Sequence, residues 1–178
     1  IPVKYKLKNI HKIKDINEDY TLNTNELSYV DFDKKKVASR FNSKEGDVII
    51  AMTGATIGKF ALIPKYESTL LINQRVGLYN LGDSPFSKLP FLINSMKQEF
   101  FRSKIFQVAG GAAQPNISGE QLDNIPLVIP DDKRMNLYNE KFESVFRLIS
   151  NNQFESNKLS ELRDWLLPML MNGQVTVN

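Results

Sequence analysis

Residues 131–170 read DDKRMNLYNEKFESVFRLISNNQFESNKLSELRDWLLPML. Apolar residues recur here at three- and four-residue spacing, which is the pattern of a long amphipathic helix. At 1.5 Å per residue, a helix from Met135 to Leu167 would be about 50 Å long, more than the width of a domain of this size. We therefore expect two units, a globular head formed by residues 1–130 and a long helical part formed by residues 131–178.

The apolar stripe of this helix changes phase near its middle, where the polar residues 150–153 interrupt it. A stripe that a small head cannot cover indicates that the far end of the helix needs a partner. The alternative is a helix that folds back on its own head. The predicted interface residues are Met135, Tyr138, Phe142, Val145, Ile149, Leu159, Leu162, Leu166 and Met169.

Several residues mark where helices begin and end. Pro168 is expected to kink or restart the long helix, and Gly173 is placed to end it. A second helix is predicted over residues 89–108 from its apolar spacing, and Gly110-Gly111 should stop it. Ser118, with a glutamine three residues later, has the form of a capping box that opens a short third helix.

The head is predicted to be an α/β domain. Four apolar runs bounded by turn residues predict strands at residues 48–52, 60–63, 70–72 and 76–79. A fifth run, IPLVIP at residues 125–130, is bounded by prolines and also predicts a short strand.

The composition excludes most catalytic chemistry. The chain has no cysteine, so disulfides, thiolate zinc sites and cysteine nucleophiles are absent. His11 is the single histidine, and without clustered partners it is expected to be an ordinary surface or turn residue. Residues 54–59, GATIGK, resemble a phosphate-binding loop, but the glycine spacing is one residue short and Phe60 replaces the required Ser or Thr. We interpret them as a turn between strands, and we expect no catalytic residue, metal or cofactor.

The net charge is +3, and most of the positive charge lies in the head. Residues 1–130 hold 17 Lys or Arg against 13 Asp or Glu, a net charge of +4, whereas residues 131–178 hold 6 against 7. This excess is compatible with nucleic-acid binding but does not establish it. No apolar run approaches the roughly 18 residues that span a bilayer, and the start has no signal-peptide pattern. We expect a cytoplasmic protein that does not enter a membrane.

Five motifs occur in an order that resembles the specificity subunit of type I restriction-modification systems. They are GDVIIAMTGATIGK at residues 46–59, INQ at 72–74, a loop at 110–118 ending in QPNIS, IPLVIP at 125–130 and LLPMLMNG at 166–173. The resemblance implies one target recognition domain, with a mixed and partly barrel-like sheet, followed by one spacer helix that pairs with a second helix as an antiparallel coiled coil. In the family the second helix belongs to the same chain. Because this chain has one such helix, we expect it to pair with a second copy in a two-fold symmetric homodimer. The resemblance also implies double-stranded DNA as ligand, methyltransferase and restriction subunits as partners, and no catalysis by the chain itself.

Candidate DNA-binding residues follow from side-chain chemistry. An arginine can donate two parallel hydrogen bonds to guanine, and we assign this contact to Arg75. A glutamine can bind adenine in the same manner, which makes Gln74 and Gln114 candidates, although Gln114 and Asn116 could instead brace their loop. The candidates for phosphate contacts are Lys34, Lys35, Lys36, Arg40 and Lys59.

Two other functions remain open at this point. The first is an assembly module in which the coiled coil is the function and the basic head binds protein or RNA. The second is an enzyme domain that has lost its catalytic partner. Sequence-selective, salt-dependent binding to duplex DNA would separate the specificity subunit from both.

Overall fold

A computed structural model describes residues 9–24, 28–29, 42–67, 70–110 and 115–174. It has the expected mixture of helices and strands. The strands are β1 (Asn9–His11), β2 (Ser28–Tyr29), β3 (Asn42–Ser43), β4 (Val48–Ala51), β5 (Phe60–Leu62), β6 (Leu70–Ile72) and β7 (Val76–Tyr79). The helices are α1 (Leu89–Met96), α2 (Glu99–Val108), α3 (Gly119–Asp123) and α4 (Asp132–Met171), and short 3-10 turns occupy Ile13–Asp15 and Pro85–Ser87. The four strands predicted in residues 48–79 are confirmed.

Within the described residues the strands form two open sheets. One has the order β5-β4-β7 and is antiparallel. The other has the order β2-β1-β6-β3 and is mixed, because β1 runs parallel to β6 while the remaining pairs are antiparallel. The expected mixed sheet is therefore confirmed, but the partial barrel is wrong. Strands of two to four residues are too short for the staggered pairing that closes a barrel.

Strand β4 lies at the centre of the core and is buried on both faces. Val48 and Ile50 face a cluster that includes residues of all four helices, whereas Ile49 and Ala51 face the four-stranded sheet. This double burial explains why the strand is a continuous apolar run without polar alternation. The head therefore has three layers: helices, the three-stranded sheet and the four-stranded sheet.

The predicted helix over residues 89–108 is two helices, because the chain breaks at Lys97 and Gln98. Gln98 is extended, with φ −68° and ψ 137°, and its carbonyl accepts from Phe101 N at 3.0 Å. Met96 and Phe101 are both buried in the same cluster. In one continuous helix, residues five apart point about 140° away from each other, so the break lets both side chains reach the core.

Residues 125–130 do not form the predicted strand. Pro126 and Pro130 have no amide hydrogen to donate to a neighbouring strand, which is the physical reason for the difference. Val128 is 92% exposed and Ile129 is 65% exposed. The strand predicted from apolar composition alone is therefore wrong, and the segment is an irregular link between α3 and α4.

Helix α4 has the length that the apolar spacing predicts, and both of its ends are capped. The carboxylate of Asp131 accepts from Arg134 N at 3.0 Å. Gly173 has φ +65°, and the amide of Gln174 donates to the carbonyl of Met169 at 2.9 Å, so Gly173 ends the helix as predicted. The restart at Pro168 is wrong, since the helix continues to Met171. Pro168 lies in the last turns, where it removes a single intrahelical hydrogen bond.

The first two thirds of α4 pack against the head. Phe146 is 8% exposed and belongs to the core cluster, with Phe142 packed against it. Three polar side chains of α4 also bind backbone groups of the head. Asn139 Oδ1 accepts from Phe91 N (2.9 Å), Ser150 Oγ accepts from Lys65 N (3.0 Å) and Gln153 Nε2 donates to Leu22 O (3.0 Å).

Across the part of the chain that the structure describes, no helix combines the length and apolar character needed to cross a membrane.

Candidate nucleic-acid interface

The C-terminal end of β4 brings together residues that are far apart in the sequence. Ala51 N donates to Lys59 O at 2.7 Å on one side, and Met52 N donates to Arg75 O at 3.1 Å on the other. Lys59 and Arg75 therefore flank β4, at the starts of β5 and β7. Since neighbouring strands are about 4.8 Å apart, their backbones lie about 10 Å from each other.

A tight turn presents Gln74 and Arg75 to solvent. Asn73 Oδ1 accepts from Arg75 N at 3.0 Å, and Asn73 O accepts from Val76 N at 2.9 Å. The turn points both side chains outward, and both are exposed. Within the described residues, no carboxylate pairs with the guanidinium of Arg75, which is exposed.

The QPNIS motif adds a third segment to this end of the sheet. Ile117 N donates to Met52 O at 3.0 Å, and Gly54 N donates to Pro115 O at 2.9 Å, so residues 115–117 pair with residues 52–54. Gly54 has φ +80°, a conformation that glycine adopts without strain. Ile117 is fully buried and fixes the segment to the core.

The capping box after this segment is confirmed. Ser118 Oγ accepts from Gln121 N at 3.1 Å, and Gln121 Oε1 accepts from Ser118 N at 2.8 Å. This reciprocal pair starts α3 directly after residues 115–117 and limits how far they can move.

These three segments line an open depression of about 430 Å³, which we call the β4 depression. Its lining residues are Met52, Thr53, Gln74, Arg75, Pro115 and Asn116. Guanidinium, amide and hydroxyl groups of this kind bind the edges of DNA bases. The described residues contain no cluster of three or more potential metal ligands.

The predicted DNA-binding residues are distributed as follows. Gln74 and Arg75 lie side by side in the β4 depression. Lys59 lies on the far side of the turn at residues 54–58, where its ammonium pairs with the carboxylate of Glu18. Five candidates lie outside the described residues: Lys34, Lys35, Lys36, Arg40 and Gln114.

Sequence reasoning missed Thr53 and the outward position of Asn116. Thr53 forms an isolated bridge with Asn116, and both side chains line the β4 depression. A polar residue between a fully apolar strand and a glycine is the signal that could have identified Thr53. For Asn116 the sequence leaves bracing of its loop as an alternative to a base contact. Its backbone is indeed paired, yet its side chain is exposed.

The interpretation of residues 54–59 as a strand-connecting turn is confirmed. The turn joins β4 to β5, and both of its glycines have positive φ. Gly58 has φ +84°, and a Cβ there would lie 3.2 Å from Ile105 Cδ1. A side chain at Gly58 would strain the backbone and press against α2.

The predicted helix-interface residues fall into two groups. Met135, Tyr138 and Phe142 are half-buried, and the hydroxyl of Tyr138 accepts from Asn94 Nδ2 at 2.7 Å. The others face solvent wholly or in part: Val145, Ile149, Leu159 and Leu162 are exposed, while Leu166 and Met169 are half-buried. Exposed apolar side chains therefore continue from Val145 through the C-terminal half of α4, where Trp165, Leu167, Leu170 and Met171 are also exposed.

Comparisons with known proteins point to one family. The family model described as the type I restriction modification DNA specificity domain matches residues 2–163. The HindI specificity subunit, a type I restriction enzyme subunit of Haemophilus influenzae, is 29% identical over 122 residues, which is 68% of this chain and 26% of the relative. The chain therefore spans about a quarter of that relative's length. The family match includes all three segments of the β4 depression and most of α4.

Proposed function

Because the chain belongs to the type I restriction modification DNA specificity domain family, we propose that it recognises a specific sequence in double-stranded DNA. In this role it is a half-unit that directs the methyltransferase and restriction subunits of a type I complex to their target. The observation that supports the proposal best is the β4 depression, where Arg75 and Gln74 stand exposed beside Asn116. Neither the family match nor the relative supports an assembly module that binds protein or RNA.

The β4 depression would bind DNA through the base edges of the major groove. Arg75 has the forked donors that match O6 and N7 of guanine, and Gln74 has the amide that matches adenine. Thr53 and Asn116 add a hydroxyl and a second amide to the same surface. The paired backbones of residues 52–54 and 115–117 would hold these side chains in fixed positions, which favours selectivity over general affinity.

We also propose that the two units have different functions. The head, residues 1–130, binds DNA, and the helical part, residues 131–178, docks the partner subunits and sets the separation of half-sites. In isolation the exposed half of α4 would pair with a second copy as an antiparallel coiled coil. The chain would carry out no catalysis, require no cofactor and act in the cytoplasm.

Replacing Arg75 with alanine tests DNA recognition. The target is first selected from a pool of random duplexes, and binding is then measured on the selected and a scrambled sequence. We expect the R75A variant to lose about 1–3 kcal/mol on the selected duplex, roughly 5- to 150-fold in Kd, and little on the scrambled one. Arg134→Ala removes the same charge from an exposed site at the start of α4 and is the matched control. An equal loss on both duplexes would contradict base recognition by Arg75.

Replacing Leu162 with glutamate tests the pairing of α4. Leu162 is 48% exposed on the free half of the helix. We expect the unmodified chain to be a dimer in light scattering at tens of micromolar, and the variant to be a monomer, since a buried charge opposes association. Leu137→Glu changes an exposed leucine outside the predicted interface and should leave the dimer intact. A monomeric unmodified chain would rule out the homodimer.

A further inference from the structure

A second groove lies on the opposite side of the turn at residues 54–58 from the β4 depression. We call it the Lys97 groove. It has a volume of about 260 Å³ and lies between this turn, residues 17–20 and the α1–α2 junction. The turn therefore separates two concave surfaces, and any ligand large enough to cover it would touch both.

Three cations border the Lys97 groove. Lys97 and Arg102 are exposed, and no carboxylate pairs with either of them within the described residues. The third cation, Lys59, is paired with the carboxylate of Glu18. Glu99 also borders the groove. The groove thus presents two cations without a carboxylate partner, a third cation paired with the exposed Glu18, and the carboxylate of Glu99.

Tyr20 holds one of these cations in a fixed position at the groove. It has φ +67°, the only non-glycine residue with positive φ in the described part of the chain. Such a conformation is strained for a tyrosine and persists when its surroundings fix it. The Tyr20 ring stacks on Phe60 with centroids 4.7 Å apart, and Lys97 Nζ lies 4.5 Å from the Tyr20 centroid. The strained residue therefore supports the Lys97 ammonium at the edge of the groove.

The spacing of the two surfaces fits duplex DNA. Lys59 and Arg75 lie on strands either side of β4, about 10 Å apart at the backbone. The major groove of DNA is about 12 Å wide. A duplex whose base edges contact Arg75 can therefore extend to Lys59, which borders the Lys97 groove together with Lys97 and Arg102.

We propose that the Lys97 groove binds the phosphodiester backbone of the DNA whose bases the β4 depression contacts. Lys97 and Arg102 bind phosphates directly, and Tyr20 is a positioning residue for Lys97. In the free protein the carboxylate of Glu18 pairs with the ammonium of Lys59, and a DNA phosphate displaces this carboxylate on binding. This inference rests on the proposed DNA recognition and extends it to a separate set of residues.

The test measures Kd against salt concentration for the full chain and the variants K97A and R102A, on the selected and a scrambled duplex. Each phosphate contact releases about 0.9 counterion, so each variant should weaken binding about five-fold at 0.15 M salt and reduce the salt slope by about 0.9. The loss should be equal on both duplexes. Lys104→Ala is the matched control. Lys104 is on α2 like Arg102, but its ammonium hydrogen-bonds Gln107 and it does not border the groove.

Glu18→Gln gives a second, opposite result. Freeing Lys59 should tighten binding to both duplexes and steepen the salt dependence. If K97A and R102A leave the salt slope unchanged, or weaken binding no more than K104A does, the Lys97 groove does not bind phosphates. Base recognition by Arg75 would still be supported if R75A loses affinity selectively for the selected duplex. An unmodified chain that binds no duplex would overturn the proposed function and this inference together. Thermal unfolding of each variant verifies that the fold is retained.

Discussion

Replacing Asp47 with alanine is expected to lower the free energy of unfolding by about 2–5 kcal/mol, because it leaves two partly buried backbone donors without acceptors. Asp47 is fully buried at the start of β4. Its Oδ2 accepts from Lys44 N at 2.8 Å, and its Oδ1 accepts from Leu81 N at 3.2 Å. This carboxylate therefore joins the turn before β4 to the segment after β7, and chemical denaturation of D47A measures the loss.

Asp47→Asn is the matched variant, since it keeps the volume and one acceptor oxygen and should lose less stability than D47A. Burial raises the pKa of Asp47, against the lowering effect of its two backbone hydrogen bonds and the charge of Lys44. The folded protein then holds this proton more tightly than the unfolded chain does. The stabilising contribution of the proton is present below the unfolded pKa and is lost as pH rises through the folded pKa.

The same linkage gives a pH test. As pH falls from 6 towards 3, the stability of the unmodified chain should rise relative to that of D47N, which has no proton to gain at this site. A difference between the two that is constant over this range would contradict the raised pKa. Equal stabilities of D47A and the unmodified chain would contradict the role of the carboxylate as a buried acceptor.

Replacing Phe146 with alanine is expected to cost about 3–5 kcal/mol of folding stability, since it removes a buried aromatic ring. Phe146 joins α4 to the core cluster and is 8% exposed. Loss of the ring should also loosen α4 from the head, so amide hydrogen exchange should accelerate along the helix while the strands remain protected.

Leu148→Ala is the control for this prediction. Leu148 is two residues away on the same helix but is 58% exposed, so its removal should change stability by less than about 0.5 kcal/mol. A similarly small change in the stability of F146A would mean that the ring of Phe146 does not anchor α4 to the head.

The sequence predicts elements whose cause is local. The β4 run, the capping box at Ser118 and the glycine end of α4 at Gly173 depend on neighbouring residues, and each is found where it was expected. The break at Gln98 was missed because neither proline nor glycine marks it. Its cause is the shared core contact of Met96 and Phe101, which only the tertiary structure shows.

The contacts of α4 with the head were also beyond sequence reasoning. The face that packs on the head includes Asn139 and Ser150, two polar residues that no apolar periodicity selects. They are buried because each binds a backbone amide of the head that would otherwise lack a partner. A pattern of apolar residues cannot reveal a helix face that is attached partly by hydrogen bonds.

The candidate site was predictable in chemistry but not in assembly. Arg75 and Gln74 are suited to base recognition by residue type alone. Their meeting with Thr53 and Asn116 depends on two backbone pairings, Met52 with Arg75 and Thr53 with Asn116, whose partners are 23 and 63 residues apart in the chain. Local patterns do not encode such pairings.

The attachment of α4 makes its far end act as a lever arm. From Gln153, the last side chain of α4 that hydrogen-bonds the backbone of the head, to Met171 the helix extends about 27 Å. A tilt of about 7° at the attachment would shift Met171 by about 3.4 Å, which is the rise of one base pair. The angular stiffness of the hydrogen bonds and aromatic packing that attach α4 to the head thus limits how accurately anything held at the tip can be registered along DNA.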